Sequence, residues 1–243
     1  PWPAHDAHKY SRGVLGVAAG SEHYTGAGLL VTAAAVATGI AGMIRYDGAS
    51  AALVRSAHPE VVIGGGRVQA WAVGSGIGDR SAELVGRILG EELPTVVDAD
   101  GLRYIPVPCP AEAVLTPHAG ELARMLEVPR ERVEAGMLEA ATAAARRWDA
   151  VVLLKGPRSL IAAPDGRVRV NTTGVEWLGT AGAGDVLTGV VGVLLAAGMS
   201  GFDAASVGAW VHGQAARLAS AGGPISASDV VRAVPEAIRS LVG

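Results

Sequence analysis

The sequence predicts an α/β fold in which helices flank a mostly parallel central sheet. Short, nearly continuous apolar runs alternate with longer stretches of helical pattern up to residue 157. Such runs are typical of parallel strands that are covered on both faces. Strand and helix pairs that repeat along a chain favour a parallel sheet with right-handed crossovers. Glycines and polar residues collect where the runs end, and open α/β sheets bind ligands beyond those ends of their strands.

The individual elements follow from this alternation. Strands or strand ends are predicted at residues 13–21, 61–65, 70–78, 95–101, 113–121 and 150–157. Helices are predicted near residues 25–43, 79–91, 119–126 and 131–147. Within residues 159–171, a Pro-Asp-Gly sequence at 164–166 separates two β-prone segments and predicts a hairpin. Later helices are predicted at residues 185–197, 203–221 and 226–241. Either Ser226 or Ser228 would cap the last of them.

Length, composition and charge limit the class of protein. The 243 residues contain no charge run or low-complexity tract, and we expect residues 1–243 to form a single domain. The net charge is only −3, so no nucleic-acid partner is indicated. Cys109 is the only cysteine, which excludes an internal disulfide and a multi-cysteine metal site. A cytoplasmic protein that acts on small molecules is expected.

Two uncharged stretches, residues 27–44 and 186–202, approach the length of a membrane span. Both are dominated by Ala, Gly, Thr and Val, and both contain internal glycines. Neither is flanked by a basic cluster or by the aromatic anchors typical of membrane-spanning helices. We therefore expect buried helices and no membrane partner.

The segment GTAGAGDVLTG, residues 179–189, places three glycines before Asp185 at the start of an apolar run. Glycines let main-chain N–H groups converge, and the positive end of a helix dipole adds to them, so the loop can hold an anion. In phosphoryl transfer, a carboxylate beside that anion can take the proton of the attacking hydroxyl. The alternative is a carboxylate that only caps the helix, worth ~0.5–2 kcal/mol. The residues alone leave both interpretations open.

Three other strand ends carry candidate residues. Lys155 ends an apolar strand, where its ammonium suits nucleotide phosphates, although a lysine that merely reaches solvent from a sheet edge would look the same. His118 and Glu121 begin a helix, either as a ligand contact and an organiser of metal-bound water, or as ordinary first-turn residues. Asp98 and Asp100 fit a magnesium site and a pair of turn caps equally well.

Two further patterns are less specific. Residues 74–78, Gly-Ser-Gly-Ile-Gly, lack the GxGxxG spacing because residue 79 is Asp, so a dinucleotide-binding fold is not predicted. They fit either a turn over which a ligand lies closely or an ordinary tight turn. The remaining histidines show no metal-ligand spacing and are expected to be solvated or structural. They are His5, His8, His23, His58 and His212.

Six segments, taken in chain order, resemble the ATP- or ADP-dependent NAD(P)H-hydrate dehydratases of the ribokinase-like superfamily. They are HKYSRGVLGVAAGSEHYTGAG (8–28), AVGSGIG (72–78), VVDADGL (96–102), VLTPHAGE (114–121), VVLLKGPRS (151–159) and NTTGVEWLGTAGAGDVLTG (171–189). Single motifs are weak, but six in this order are specific, and the resemblance runs from about His8 to the C-terminus, which is nearly the whole chain. The resemblance implies a ribokinase-like three-layer sandwich.

The resemblance also implies roles for individual residues. Asp185 would be the catalytic carboxylate and would contact the hydrated nicotinamide. The other substrate contacts would be Ala27, Gly76, Gly78 and His118. The nucleotide site would comprise Lys155, Gly156, Pro157, Arg158, Ser159, Gly182, Ala183 and Gly184. Glu121, in an element similar to Asn-x-x-Glu, would hold magnesium through water.

The implied activity is ATP- or ADP-dependent dehydration of the S-epimer of hydrated NADH or NADPH, termed NADHX and NADPHX. Phosphorylation of the ring hydroxyl would precede loss of phosphate, which restores NADH or NADPH. Magnesium would be the cofactor, and a homotetramer the assembly. The alternatives are a ribokinase-like kinase of a small alcohol or vitamin precursor, and a nucleotide-binding module without catalysis.

The chain departs from the family pattern in two places. Relatives commonly carry Lys-Gly-Gly-Ser-Gly-Asp where residues 180–185 lie, so in this anion-binding loop Thr180 replaces the basic residue and Ala183 replaces the serine hydroxyl. Ser75 replaces the proline of the usual Gly-Pro-Gly-Leu-Gly. Many relatives also carry an N-terminal epimerase domain, and a start at Pro1 without Met is expected of a C-terminal half separated from such a domain.

Overall fold

The structure is a computed structural model that describes residues 5–78 and 81–241. Its strands are β1 (Val14–Ala18), β2 (Met43–Tyr46), β3 (Val62–Ile63), β4 (Ala70–Val73), β5 (Thr95–Val97), β6 (Ala113–Leu115), β7 (Val151–Leu154), β8 (Ser159–Ala162) and β9 (Val168–Asn171). Within the described residues they form one sheet in the order β3-β2-β1-β4-β5-β6-β7-β8-β9. Strands β1 to β7 are parallel, and β8 pairs antiparallel with β7 and β9. The mostly parallel sheet and the hairpin at residues 159–171 are thus confirmed.

The helices lie in one layer on each face of this sheet. They are α1 (Thr25–Thr38), α2 (Ala51–Ala57), α3 (Ser81–Leu89), α4 (Ala119–Leu126), α5 (Arg130–Ala135), α6 (Met137–Trp148), α7 (Ala183–Ala196), α8 (Gly201–Ser220) and α9 (Ala227–Arg239). Two 3₁₀ helices cover Ala99–Tyr104 and Glu176–Leu178. Helices α1, α7, α8 and α9 pack on one face, and α3, α4 and α6 pack on the other.

Strand β1 shows why the strands read as continuous apolar runs. Leu15 and Val17 belong to the core beneath α1 and α7, whereas Val14 and Ala18 belong to the core on the opposite face. Successive side chains of a strand point to opposite faces, and here both faces are covered. Every residue of β1 is therefore buried.

Helix α7 is the central element of its layer. Its residues are buried almost without interruption from Val186 to Ala196. A Cβ added at Gly189 would lie 2.3 Å from the main-chain oxygen of Val31, so α7 and α1 approach each other closely. Helices α1 and α7 lie in the two uncharged stretches; α7 is buried along its length as predicted, whereas α1 buries six of its fourteen residues. None of the helices that the structure describes is long and apolar enough to cross a membrane.

Several predicted boundaries were wrong. The helix expected at residues 25–43 ends at Thr38 because Gly39 adopts the left-handed conformation, with φ 63°, and the chain then enters β2. The helix expected at residues 131–147 is divided at Gly136 into α5 and α6. Helix α2 and the 3₁₀ helix after β5 were not predicted.

Two other predictions concern helix starts. The first residues of the helix expected at 79–91 lie outside the described residues, and α3 covers Ser81–Leu89. Ser226 caps α9, since its side chain accepts a hydrogen bond from the Asp229 N–H, so Ser226 and not Ser228 is the N-cap.

Candidate active site

Asp98 is the hub of a polar cluster at the carboxyl ends of the central strands. It directly follows β5 and is only 2% exposed. Its Oδ1 accepts hydrogen bonds from Lys155 Nζ at 2.6 Å and from Thr116 Oγ1 at 2.8 Å. The hydroxyl oxygens of Thr188 and Ser75 lie 3.2 and 3.5 Å from its Oδ2. The cluster therefore joins residues that follow four strands and one residue of helix α7 at one point.

The charge of Asp98 is stabilised within this cluster. Burial raises the pKa of the carboxyl, but the charge of Lys155 and the hydrogen bonds from it and from two threonines outweigh that effect, and the pKa is lowered. Asp98 is thus a carboxylate at neutral pH. Its oxygens are occupied by protein donors, so it supports Lys155 rather than offering a free ligand.

Lys155 follows β7 and faces three carboxylates. Its Nζ lies 2.6 Å from Asp98 Oδ1 and 3.9 Å from Glu121 Oε2. Burial lowers the pKa of the ammonium. The charges of Asp98, Glu121 and Asp185 raise this pKa by more than burial lowers it, so the net shift is upward. Lys155 is consequently a fixed cation at the mouth of the site, not a lysine that merely reaches solvent.

Helix α7 begins against this ion pair. A Cβ added at Gly184 would lie 3.3 Å from Lys155 Nζ and 3.4 Å from Asp98 Oδ2, so glycine allows the helix start to approach both charges. Gly182 is the N-cap with φ 87°, a left-handed conformation that favours glycine. A Cβ there would lie 2.4 Å from Leu30 Cδ1. The two glycines thus fix how the first turn of α7 sits between α1 and Lys155.

Asp185 lies in that first turn, three residues after the N-cap. Burial raises the pKa of its carboxyl to about 6; the nearby Asp98 also raises it, while a hydrogen bond from Ser75 and the charge of Lys155 lower it. Since Gly182 occupies the cap position, Asp185 is not the helix cap. A carboxylate that titrates near neutral pH beside a fixed cation can accept a proton during a reaction.

His118 and Glu121 form a capping box at the start of α4. His118 Nδ1 accepts hydrogen bonds from the N–H groups of Gly120 and Glu121 at 3.0 and 3.3 Å, and Glu121 Oε2 accepts one from the His118 N–H at 2.8 Å. The structural role that the sequence left open is therefore present. Glu121 nevertheless also faces Lys155, and about half of the His118 side chain is exposed at the site.

A cavity of about 490 Å³ opens beside Lys155. Six of the eight predicted nucleotide residues line it, namely Lys155, Gly156, Pro157, Ser159, Ala183 and Gly184. Arg158 and Gly182 are not among the described lining residues. Sequence reasoning did not anticipate the opposite wall, which includes Asn171, Val175, Leu178, Ala209 and His212. A lone histidine within the apolar helix α8 was the available signal for that wall.

The predicted substrate glycines lie on the other side of Asp185, near the start of α1. Gly76 has φ 62°, and a Cβ there would lie 2.9 Å from the Cβ of Ala27, so these two predicted contacts adjoin each other. Gly78 donates its N–H toward Asp100 Oδ2 at 3.4 Å. Ser75, in the same loop, reaches both Asp98 and Asp185. Asp185 therefore stands between the cavity at Lys155 and the glycine loop.

Comparison with known proteins identifies the family. The model of the NAD(P)H-hydrate dehydratase family matches residues 15–235. The chain belongs to the NAD(P)H-hydrate dehydratase family. The segments that suggested this family lie around the cluster just described, and the predicted family membership is confirmed.

Relatives in this family include both longer and similarly sized proteins. The chain is 42% identical over 260 residues to the bifunctional NAD(P)H-hydrate repair enzyme of Mycobacterium leprae, covering 99% of this chain and 54% of that protein. It is 33% identical to the ADP-dependent (S)-NAD(P)H-hydrate dehydratase of Neisseria meningitidis, covering 98% of this chain and 88% of that protein. The chain thus spans about half the length of the bifunctional relative.

Two solved structures share the fold. The ADP/ATP-dependent NAD(P)H-hydrate dehydratase of Bacillus subtilis, co-crystallised with ATP and Mg²⁺, has a TM-score of 0.92 at 26% identity, covering 99% of this chain and 94% of that one. A ribokinase-like superfamily protein of Enterococcus faecalis has a TM-score of 0.87 at 19% identity, covering 98% and 91%. The predicted ribokinase-like three-layer fold is confirmed.

Proposed function

We propose that this chain catalyses the ATP- or ADP-dependent dehydration of the S-epimer of NADHX and NADPHX, which restores NADH and NADPH. The observation that carries the proposal is the place of Asp185, between the cavity beside Lys155 and the glycine loop at residues 74–78. A nucleotide in the cavity and a hydrated nicotinamide at the loop would meet at this carboxylate. The names of the family's relatives support the same activity.

Asp185 acts as the general base in the first step. Its carboxylate takes the proton of the ring hydroxyl, and the hydroxyl oxygen forms a bond to the terminal phosphorus of the nucleotide. The bond between that phosphorus and the bridging oxygen breaks, and the bridging oxygen stays on the nucleotide product. ATP yields ADP, and ADP yields AMP. A pKa of about 6 leaves Asp185 ionised at neutral pH but still basic enough to hold the proton.

The second step is elimination of phosphate. The carbon–oxygen bond breaks, phosphate leaves with the electron pair, and the adjacent ring carbon loses a proton to restore the double bond. Hydroxide is a poor leaving group and phosphate a good one, so a phosphoryl-transfer site can serve a dehydratase. The net reaction removes water from the ring and hydrolyses one phosphoanhydride bond.

Lys155 and the start of α7 position the phosphates. The ammonium is held by Asp98, and Ala183 and Gly184 in the first turn of α7 line the same cavity. Helix N-termini bind phosphates because their N–H groups are unpaired and the dipole is positive. These groups would stabilise the charge that develops on the transferred phosphoryl oxygens.

Magnesium fits the charge of this site, with Glu121 as the residue that would hold it through water. Asp98, Glu121 and Asp185 all act on the Lys155 ammonium, so among residues 5–78 and 81–241 the charges around this cation are mainly negative, and a polyanionic nucleotide would meet them. Among the described residues no three His, Cys, Asp or Glu side chains converge to hold a metal. Mg²⁺ is commonly bound by one or two carboxylates together with substrate phosphates, and there it neutralises phosphate charge.

One assay tests the proposal against a kinase of a small alcohol. The purified chain is given hydrated NADH with ADP or ATP, and the absorbance of reduced nicotinamide is followed together with release of phosphate. We expect absorbance and phosphate to rise in equal amounts. A kinase would release a phosphorylated product, and a module without catalysis would bind nucleotide but convert neither substrate.

Domain organisation, assembly and location are also proposed. We infer that residues 1–243 form one dehydratase domain that assembles as a homotetramer in the cytoplasm. Light scattering coupled to size-exclusion chromatography measures the assembly directly. A mass other than four times 24.5 kDa would contradict the tetramer without affecting the proposed chemistry.

A further inference from the structure

His212 is a buried polar side chain in the wall of the cavity beside Lys155. It lies in α8, is only 8% exposed and faces the lining formed by Ala183 and Leu187. Its Nε2 has no hydrogen-bond partner among residues 5–78 and 81–241. An unpaired buried donor or acceptor costs ~1–3 kcal/mol, so such atoms usually have a partner in the functional state.

The polar neighbours of His212 are paired with one another. Asn171 Nδ2 donates to the main-chain oxygen of Ala209 at 3.0 Å, and Thr173 Oγ1 donates to Asn171 Oδ1 at 3.0 Å. The backbone is tightly packed at this point, because a Cβ added at Gly213 would lie 2.1 Å from Thr173 Oγ1. The backbone beside His212 is thus closely packed, and the side chains of its neighbours Asn171 and Thr173 already have partners.

The imidazole is neutral under ordinary conditions. Burial lowers the pKa of His212 to about 4; the positive charge of Lys155 also lowers it, and a main-chain hydrogen bond at Ala183 opposes the shift. A neutral imidazole has one N–H donor and one bare nitrogen acceptor. Because the Ala183 interaction raises the pKa, the ring donates its N–H there, and the other nitrogen remains an acceptor.

We propose that His212 accepts a hydrogen bond from the adenosine part of the bound nucleotide and thereby selects that nucleoside. A bare nitrogen acceptor does not pair with a phosphate, whose oxygens are acceptors too. The N–H and O–H donors of an adenine nucleotide are the exocyclic amine of the base and the ribose hydroxyls. Val175, Leu178 and Leu187 supply the apolar surface that a base requires in the same cavity.

This inference rests on the proposed function, because it assumes that the cavity binds an adenine nucleotide. Calorimetric titration of the full chain with ADP, inosine diphosphate, 2′-deoxy-ADP and 3′-deoxy-ADP tests it. Each analogue lacks one candidate donor. We expect the wild type to bind one of the analogues about 5- to 10-fold more weakly than ADP, as loss of one hydrogen bond of about 1 kcal/mol implies.

The His212→Phe variant keeps a ring of similar size and removes the acceptor. We expect it to bind ADP about 5- to 10-fold more weakly, and the difference between ADP and that one analogue to disappear. His212→Gln, which restores an acceptor, should recover part of this difference. An equal loss for all four ligands would mean a structural role, and an unchanged preference would mean no contact; either result overturns the inference.

A measurement on the wild type covers the case in which the variants do not fold. The ¹⁵N resonance of the bare His212 nitrogen should move on addition of ADP and move less with the analogue that lacks the donor. No movement with ADP, once ADP is shown to bind, overturns the inference alone. If the wild type does not bind ADP at all, the proposed function fails as well.

Discussion

Replacing Asp185 with Asn removes a buried negative charge. The proposed reaction needs this charge, but its burial destabilises the folded state. Burial raises the pKa of this carboxyl from 3.8 to about 6, so the folded state binds its proton more tightly than the unfolded chain does. A group of this kind contributes its stabilising effect at low pH and loses it as pH rises through about 6. The pKa shift is about two units, and each unit corresponds to ~1.4 kcal/mol. The ionised Asp185 carboxylate therefore lowers the free energy of unfolding by roughly 3 kcal/mol at pH 7.5.

Asp185→Asn should therefore be more stable and much less active than the wild type. We expect a gain of about 2–3 kcal/mol at pH 7.5, or a rise in Tm of about 5–10 °C for a chain of this length. The gain should vanish at pH 4, where the wild-type carboxyl is protonated in the folded state. The dehydration rate should fall by roughly 10²–10⁴-fold, as expected on losing a positioned base.

Asp229→Asn is the matched control, because Asp229 also lies three residues after a helix N-cap. Its carboxyl accepts hydrogen bonds from Ser226, and its pKa is lowered to about 2. This variant should have a lower Tm and wild-type turnover. Thermal unfolding at pH 4 and 7.5 and the absorbance assay measure both effects. Near-wild-type turnover of Asp185→Asn would falsify its role as the base, and a lower Tm at pH 7.5 would refute the proposed cost of its charge.

Three further results are expected. The value of kcat/KM should fall about tenfold per pH unit below about 6 as Asp185 is protonated, which a pH profile with saturating ADP measures. Gly184→Ala should weaken ADP binding about fivefold, equivalent to about 1 kcal/mol, because its Cβ would lie 3.3 Å from Lys155 Nζ; calorimetry tests this, and unchanged affinity would contradict it. Gly189→Ala should lower the free energy of unfolding by about 1–3 kcal/mol, because its Cβ would lie 2.3 Å from the Val31 oxygen. Gly86 has open space around it, so Gly86→Ala should stabilise α3. Chemical denaturation compares the two variants.

The sheet was predictable because both of its faces are covered. Runs such as those of β1 and β7 are apolar throughout, and the turn at residues 164–166 marked the hairpin. Strand β2 was missed because Met43–Tyr46 alternates buried and partly exposed residues and follows an apolar helix without a charged boundary. The only local signal for that boundary was Gly39.

The candidate site was predictable where residues sit at strand ends. Asp98 and Lys155 follow β5 and β7 and meet at 2.6 Å, since the carboxyl ends of parallel strands share one edge. His212 was expected to be solvated or structural, and the structure places it in the cavity wall. A lone histidine in α8 was the available signal, but its place in the cavity wall depends on how α8 packs against the loop after β9, and the local pattern does not encode that packing.

The continuous burial of α7 bears on which parts of the protein can move. Amide protons in a helix that is enclosed along its length exchange with solvent only when the whole core opens, whereas binding segments usually belong to the least protected parts of a protein. Here the proposed base, Asp185, stands on the protected element. Any closure around the ligands would therefore have to come from the segments around α7, such as residues 74–78 and 172–181, while the carboxylate stays in place.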